Sequence, residues 1–144
     1  MTAIREYRNL AIVVTAAVVA IAGVAWGQTP PLQTIGVPTT ATSLEGQPDV
    51  RVDVREDGVT RRELDAAESA RSRLTIQIRD GRLYWQDRPL TVSAAGEFVY
   101  LSSAEPGRYV RLRRLNDRLT YVEHVDTGAS SVTYWGELRI VLGR

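Results

Sequence analysis

From residue 50 onward, apolar and polar residues alternate with period two in short runs, the pattern of strands that bury one face. Val50-Arg51-Val52-Asp53-Val54 opens the series and stops at Asp57-Gly58. Leu74, Ile76 and Ile78 then alternate with Thr75 and Gln77, Asp80-Gly81 supplies a two-residue turn, and Leu83 and Trp85 continue the return strand. Such a turn sets Ile78 opposite Leu83 and Ile76 opposite Trp85, so both strands send their apolar residues to one face. Further strands are expected at 90–93 after Pro89, at 98–101 after Ala95-Gly96, and at 109–115 after Pro106-Gly107. They continue at 118–125 after Asn116-Asp117, and at 132–135 and 138–142 after Gly128. Val110, Leu112, Leu119, Tyr121 and Val125 fall on one face of the 109–125 hairpin. Seven or eight short strands joined by tight turns predict a mainly β domain, a small antiparallel meander closed as a barrel or folded as a sandwich.

One stretch departs from this period. Thr60-Arg61-Arg62-Glu63 has the spacing of a capping box, and the Ala-, Glu- and Arg-rich residues 64–72 that follow predict one short helix packing Leu64, Ala67 and Ala70.

The N-terminal part reads differently. Residues 10–25 carry no charge and a single hydroxyl, after a head containing Arg5, Glu6 and Arg8. From 9 to 27 the chain has helical reach of roughly 28 Å, close to the bilayer core of about 30 Å. The expected organisation is a cytoplasmic head at 1–8, a transmembrane helix or uncleaved signal anchor at 9–27, a Pro/Thr-rich extended linker at 28–48 and an extracytoplasmic β domain at 49–144. Two arginines precede the span and no charge follows it until Glu45, which puts the N-terminus in the cytoplasm and the domain in the periplasm. Tyr7, Arg8 and Trp26 bracket the span as interfacial residues do. Ala16, Ala20, Gly23 and Gly27 share a helix face on which a second membrane helix can approach closely. Small residues before Trp26 and Gln28 also suit a signal peptidase, leaving a cleaved, periplasmic protein as the alternative.

Composition narrows the chemistry. The 144-residue chain has no cysteine, one histidine, and 18 basic residues that are all arginine. Thiol nucleophiles, zinc ribbons, iron-sulfur clusters and disulfides are excluded, as are Schiff-base and Walker-type lysine chemistry. His124 has Asp126 on the same strand face but no second imidazole or thiol to complete a metal set. No Gly-x-Ser-x-Gly elbow accompanies it. No catalytic residue, cofactor or metal is therefore assigned.

From Glu45 to the end, 16 arginines match 16 acids, so long-range steering by net charge is not expected. The local exception is Arg108, Arg111, Arg113, Arg114 and Arg118. In the hairpin register Arg111 and Arg113 share the outward face with His124, facing an acidic partner or anionic lipid. The dipeptide Tyr-Trp occurs at 84–85 and 134–135, and alternation gives each pair one inward and one outward ring. Partner-contact candidates are Leu32, Ile35 and Val37 in the linker, and Tyr84, Arg111, Arg113, His124 and Tyr134 on the domain. Nucleic acid is not an expected partner outside the cytoplasm.

The expectation for function is a non-catalytic accessory subunit of a bacterial membrane complex, respiratory and photosynthetic assemblies being the host class, with integral membrane proteins and the bilayer as partners. A periplasmic barrel that captures an apolar ligand or glycan through Trp85, Trp135 and the tyrosines is the alternative, and a small hydrolase ranks third.

Overall fold

The computed structural model describes residues 30–143, and 64% of them lie in strands. The fold is a nearly closed antiparallel barrel with two short helices. In chain order the elements are α1 (Pro31–Thr34), β1 (Ala41–Arg55), β2 (Gly58–Glu63), α2 (Ala66–Arg71), β3 (Leu74–Arg79), β4 (Arg82–Trp85), β5 (Arg88–Pro89), β6 (Thr91–Ala95), β7 (Phe98–Ser102), β8 (Arg108–Leu115), β9 (Arg118–Asp126) and β10 (Ser130–Leu142). One ten-stranded sheet runs β5-β4-β3-β1-β10-β9-β8-β7-β6, with β2 beside β1.

Its two ends, β5 and β6, are consecutive in the chain with only Leu90 between them, so the sheet must curl until its edges meet. The Leu90 amide donates to the Leu83 carbonyl at 2.8 Å, extending the β4–β5 ladder up to the start of β6. Arg88 of β5 also pairs with Glu105 in the β7–β8 loop.

The β3–β4 hairpin has the register that its turn dictates, with Ile78 opposite Leu83 and Gln77 opposite Tyr84. Asp80 and Gly81 both adopt positive φ, 51° and 72°, as a type I′ turn requires. The β8–β9 hairpin likewise turns on Asn116-Asp117, and Val110, Leu112, Leu119 and Tyr121 are buried while Val125 is half-buried.

Three expectations are corrected. Residues 31–48 are not a linker: they form α1 and the first half of β1. Ile35, Val37, Ala41 and Leu44 sit in the core. Leu44, Gly46 and Pro48 point inward on alternate positions, and that apolar row outweighs the breaker character of the glycine and proline. Second, Thr60–Glu63 is not a helix cap but the middle and end of β2, held by pairing with β1. The capping box lies five residues on. The Glu68 amide donates to the Asp65 side chain and the Asp65 amide to the Glu68 carboxylate, and the helix covers only 66–71, with Ala67 and Ala70 exposed. Third, residues 130–142 are one thirteen-residue strand that runs through Gly136. The head, the span and its residues Tyr7, Arg8, Ala16, Ala20, Gly23, Trp26 and Gly27 lie outside the described residues.

β1 and β10 are long enough to serve two purposes. Their 41–46 and 138–142 halves belong to the barrel wall, where β1 pairs with β3. Beyond a bulge at Pro48–Val50, β1 pairs with β2 instead, extending the sheet past the barrel.

Candidate functional site

Two faces of the sheet carry polar and aromatic residues in ordered rows. On the outer face, strand pairing aligns Tyr100, Arg111, Val122, Trp135 and Val50 across β7, β8, β9, β10 and β1. A second row sets Ser102, Tyr109, His124, Thr133 and Val52 side by side. The rings form a chain: Phe98 to Tyr100 and Tyr100 to Tyr109 each at 6.4 Å between centroids, and Tyr109 to His124 at 5.2 Å. His124 Nδ1 lies 3.1 Å from Thr133 Oγ1, which fixes the ring against the sheet.

Arg111 and Arg113 both stack over Phe98, at 4.9 and 5.4 Å from its centre, and Arg113 also pairs with Glu97. Trp135 is 37% exposed and Tyr109 40%, and a shallow groove of about 350 Å³ opens beside Trp135 between Asp49, Val50 and Val122. Aromatic rings and stacked arginines with little rotational freedom are the residues that dominate interface energies.

The inner face carries a different row, an electrostatic seam that is buried at Glu123 and half-buried along the rest. Arg108 pairs with Glu123, which is 4% exposed, and the Arg108 guanidinium lies 3.2 Å from the centre of the Trp85 ring. Glu123 neighbours Tyr134 on β10, Tyr134 neighbours Arg51 on β1, and Arg51 neighbours Arg62 on β2. Arg51 sits over the Tyr134 ring at 5.7 Å and grips both oxygens of Asp53. Arg62 binds Glu68 at 2.6 Å. The hydrogen bonds from Arg51 hold the Asp53 carboxyl below its ordinary range, and Asp53 in turn raises Arg51. The hydrogen bond from Arg62 lowers Glu68.

Tyr121 is buried across Gly46 and Gly136, its hydroxyl has no partner among the described residues, and burial raises its pKa. Among the described residues Leu44, Ile76, Leu101, Leu112 and Tyr121 pack the core, and the space under Trp85, between Leu74, Ile76 and Leu90, amounts to about 10 Å³. Among the described residues no three carboxylate or imidazole side chains converge on a point that a metal ion could occupy.

Of the sequence candidates, the structure brings Arg111, Arg113 and His124 together on the outer face. Tyr84 is half-buried on the outer side of β4, under Arg79 at 5.3 Å, apart from that group. Tyr134 is turned inward beside Glu123, and its neighbour Trp135 is the exposed ring of that pair. Trp85 points inward and Trp135 outward, so the two do not share a cavity. Ile35 and Val37 are used in the protein's own core, and Leu32 packs against it. The Trp85–Arg108–Glu123 cluster was missed, although strand parity carries it: Arg108 is in phase with Val110 and Leu112, and Glu123 with Leu119 and Tyr121.

No family model matches the chain, and no curated protein matches it.

Proposed function

We propose that the protein is a non-catalytic accessory subunit of a bacterial membrane complex, with its barrel on the periplasmic side serving as a docking platform for integral membrane proteins. The observation that supports this best is the division of labour between the two faces of the sheet. The interior is occupied by its own side chains, while Tyr109, Arg111, His124 and Trp135 are collected on the outer wall. A barrel that captures an apolar ligand needs an internal void of a few hundred Å³, whereas about 10 Å³ remains under Trp85. The inner carboxylates are each held by an arginine, and a glycosidase pair would need two carboxyl groups free to face a substrate.

The apolar stretch at residues 10–25 supports a membrane anchor by composition alone. Among the described residues no helix is long and apolar enough to cross a membrane. The test is to tag the C-terminus, solubilise native membranes in mild detergent, and identify the first residue and the co-purifying proteins. An intact N-terminus with stoichiometric integral membrane partners is expected. A soluble monomer starting near Gln28 would contradict the proposal.

A further inference from the structure

With residues 31–48 folded into the barrel, little chain is left to hold the domain away from a membrane. Between Gly27, where the expected span 9–27 ends, and Pro30 there are three Cα steps, a reach of no more than about 11 Å. Whatever surrounds Pro30 therefore lies at the bilayer surface whenever the stretch is anchored in it, a condition that rests on the function proposed above.

The segment that follows Pro30 is fixed at one end of the barrel by hydrogen bonds. Arg114 Nε donates to the Ile35 carbonyl at 2.7 Å, and the same guanidinium reaches the carbonyls of Gly36 and Asp117, tying the incoming segment to the β8–β9 turn. The Gly143 amide donates to the Thr40 carbonyl at 2.9 Å, and Ala41 pairs with Leu142, which brings the last strand to the same end. At this end, and next to this segment, stand Leu115 at 49% and Leu142 at 56% exposure. Neither is on the outer aromatic band. Arg118 pairs across from Leu115 and binds Glu137 at 2.7 Å, exposed Arg82 opens β4 at the same end, and Asp80 and Asp117 in the two turns bring the local charge close to balance.

We infer that this end of the barrel is a bilayer-contact face, with Leu115 and Leu142 entering the headgroup layer and exposed Arg82 at the same end reaching lipid phosphates. Exposed leucines with a long cationic side chain at the same end suit that boundary, since such a stem lies along apolar surface while the guanidinium stays wet. Because the local charge is nearly balanced, the leucines carry the contact, and anionic lipid strengthens it only modestly. The β9–β10 turn around Ala129 is at the opposite end and stays in water.

The absence of native cysteine makes the test direct. Leu115→Cys, Leu142→Cys and Ala129→Cys are made singly in the full chain, labelled with a small fluorophore and reconstituted into phosphatidylethanolamine/phosphatidylglycerol vesicles containing lipids with a nitroxide quencher near the headgroup. Loss of fluorescence at positions 115 and 142, several-fold greater than at 129, is expected. Equal, water-like signals at all three positions in chains that float with the vesicles would overturn the inference and leave the anchored reading standing. Labels that are wet in pure vesicles but shielded in native membranes would assign this end to a protein partner and overturn the lipid assignment. A native chain beginning near Gln28 would overturn both.

Discussion

Arg108 of β8 lies with its guanidinium 3.2 Å from the centre of the Trp85 ring on β4, so a cation on one arm of the sheet covers an indole on the other. The same guanidinium satisfies Glu123, whose side chain is 5% exposed. Together they bridge the part of the wall that backbone pairing leaves open.

Removing only the cation strands a buried carboxylate. Arg108→Ala is expected to destabilise the fold by about 3–5 kcal/mol, whereas Arg108→Met with Glu123→Leu, which removes both charges, costs far less than the sum of the single changes. Urea unfolding of the four proteins in the cycle measures the difference.

Tyr121 depends on two positions having no side chain. A Cβ at residue 46 would stand 2.6 Å from Cε1 of the ring, and one at residue 136 would meet the same atom at 2.9 Å. Gly46→Ala is therefore expected to cost about 1–3 kcal/mol from overpacking. Tyr121→Leu removes the aromatic atoms in the way, so adding it to Gly46→Ala should give a loss smaller than the sum of the two. Additive losses by thermal or urea denaturation would contradict this packing account.

The acid limb of stability has a defined sign. Asp53 and Glu68 are held below their ordinary values of 3.8 and 4.5 by hydrogen bonds from Arg51 and Arg62. Groups with depressed folded values contribute stability fully above the ordinary value, and lose it as pH falls through the folded one. Unfolding midpoints are thus flat near neutrality and fall from about pH 4–5 downward. Asp53→Asn lowers the neutral plateau and flattens that fall, measured by urea titration at stepped pH.

What was legible in the sequence follows from how local the determining interactions are. The Ile78/Leu83 register needed only an Asp-Gly turn and the alternation beside it, and both sit within ten residues. The sharing of one outer face by Arg111, Arg113 and His124 followed from the two-residue turn at Asn116. Residues 31–48 misled because Pro48 and Gly46 look like breakers in isolation. Their role is set by Tyr121 and Gly136, some 75 to 90 positions away. Likewise Thr60–Glu63 and Asp65–Glu68 both carry a capping pattern. The pairing of β2 with β1 claims the first and leaves the second to the helix. Tyr134 and Trp135 could not be assigned inward or outward without the register of β10 against β9.

The outer aromatic band is the centre of the functional account, and its side chains can be changed without touching the core. Tyr109→Ser with Trp135→Ser is expected to keep the far-ultraviolet dichroism and alter stability by no more than about 1–2 kcal/mol, the scale of cross-strand pair contacts. The decisive measurement is purification of this double variant from native membranes beside the unaltered chain, with quantification of co-purifying membrane proteins. The account predicts stoichiometric partners with the unaltered chain and their loss with the variant. Recovery of the same partners at the same stoichiometry from both would contradict it.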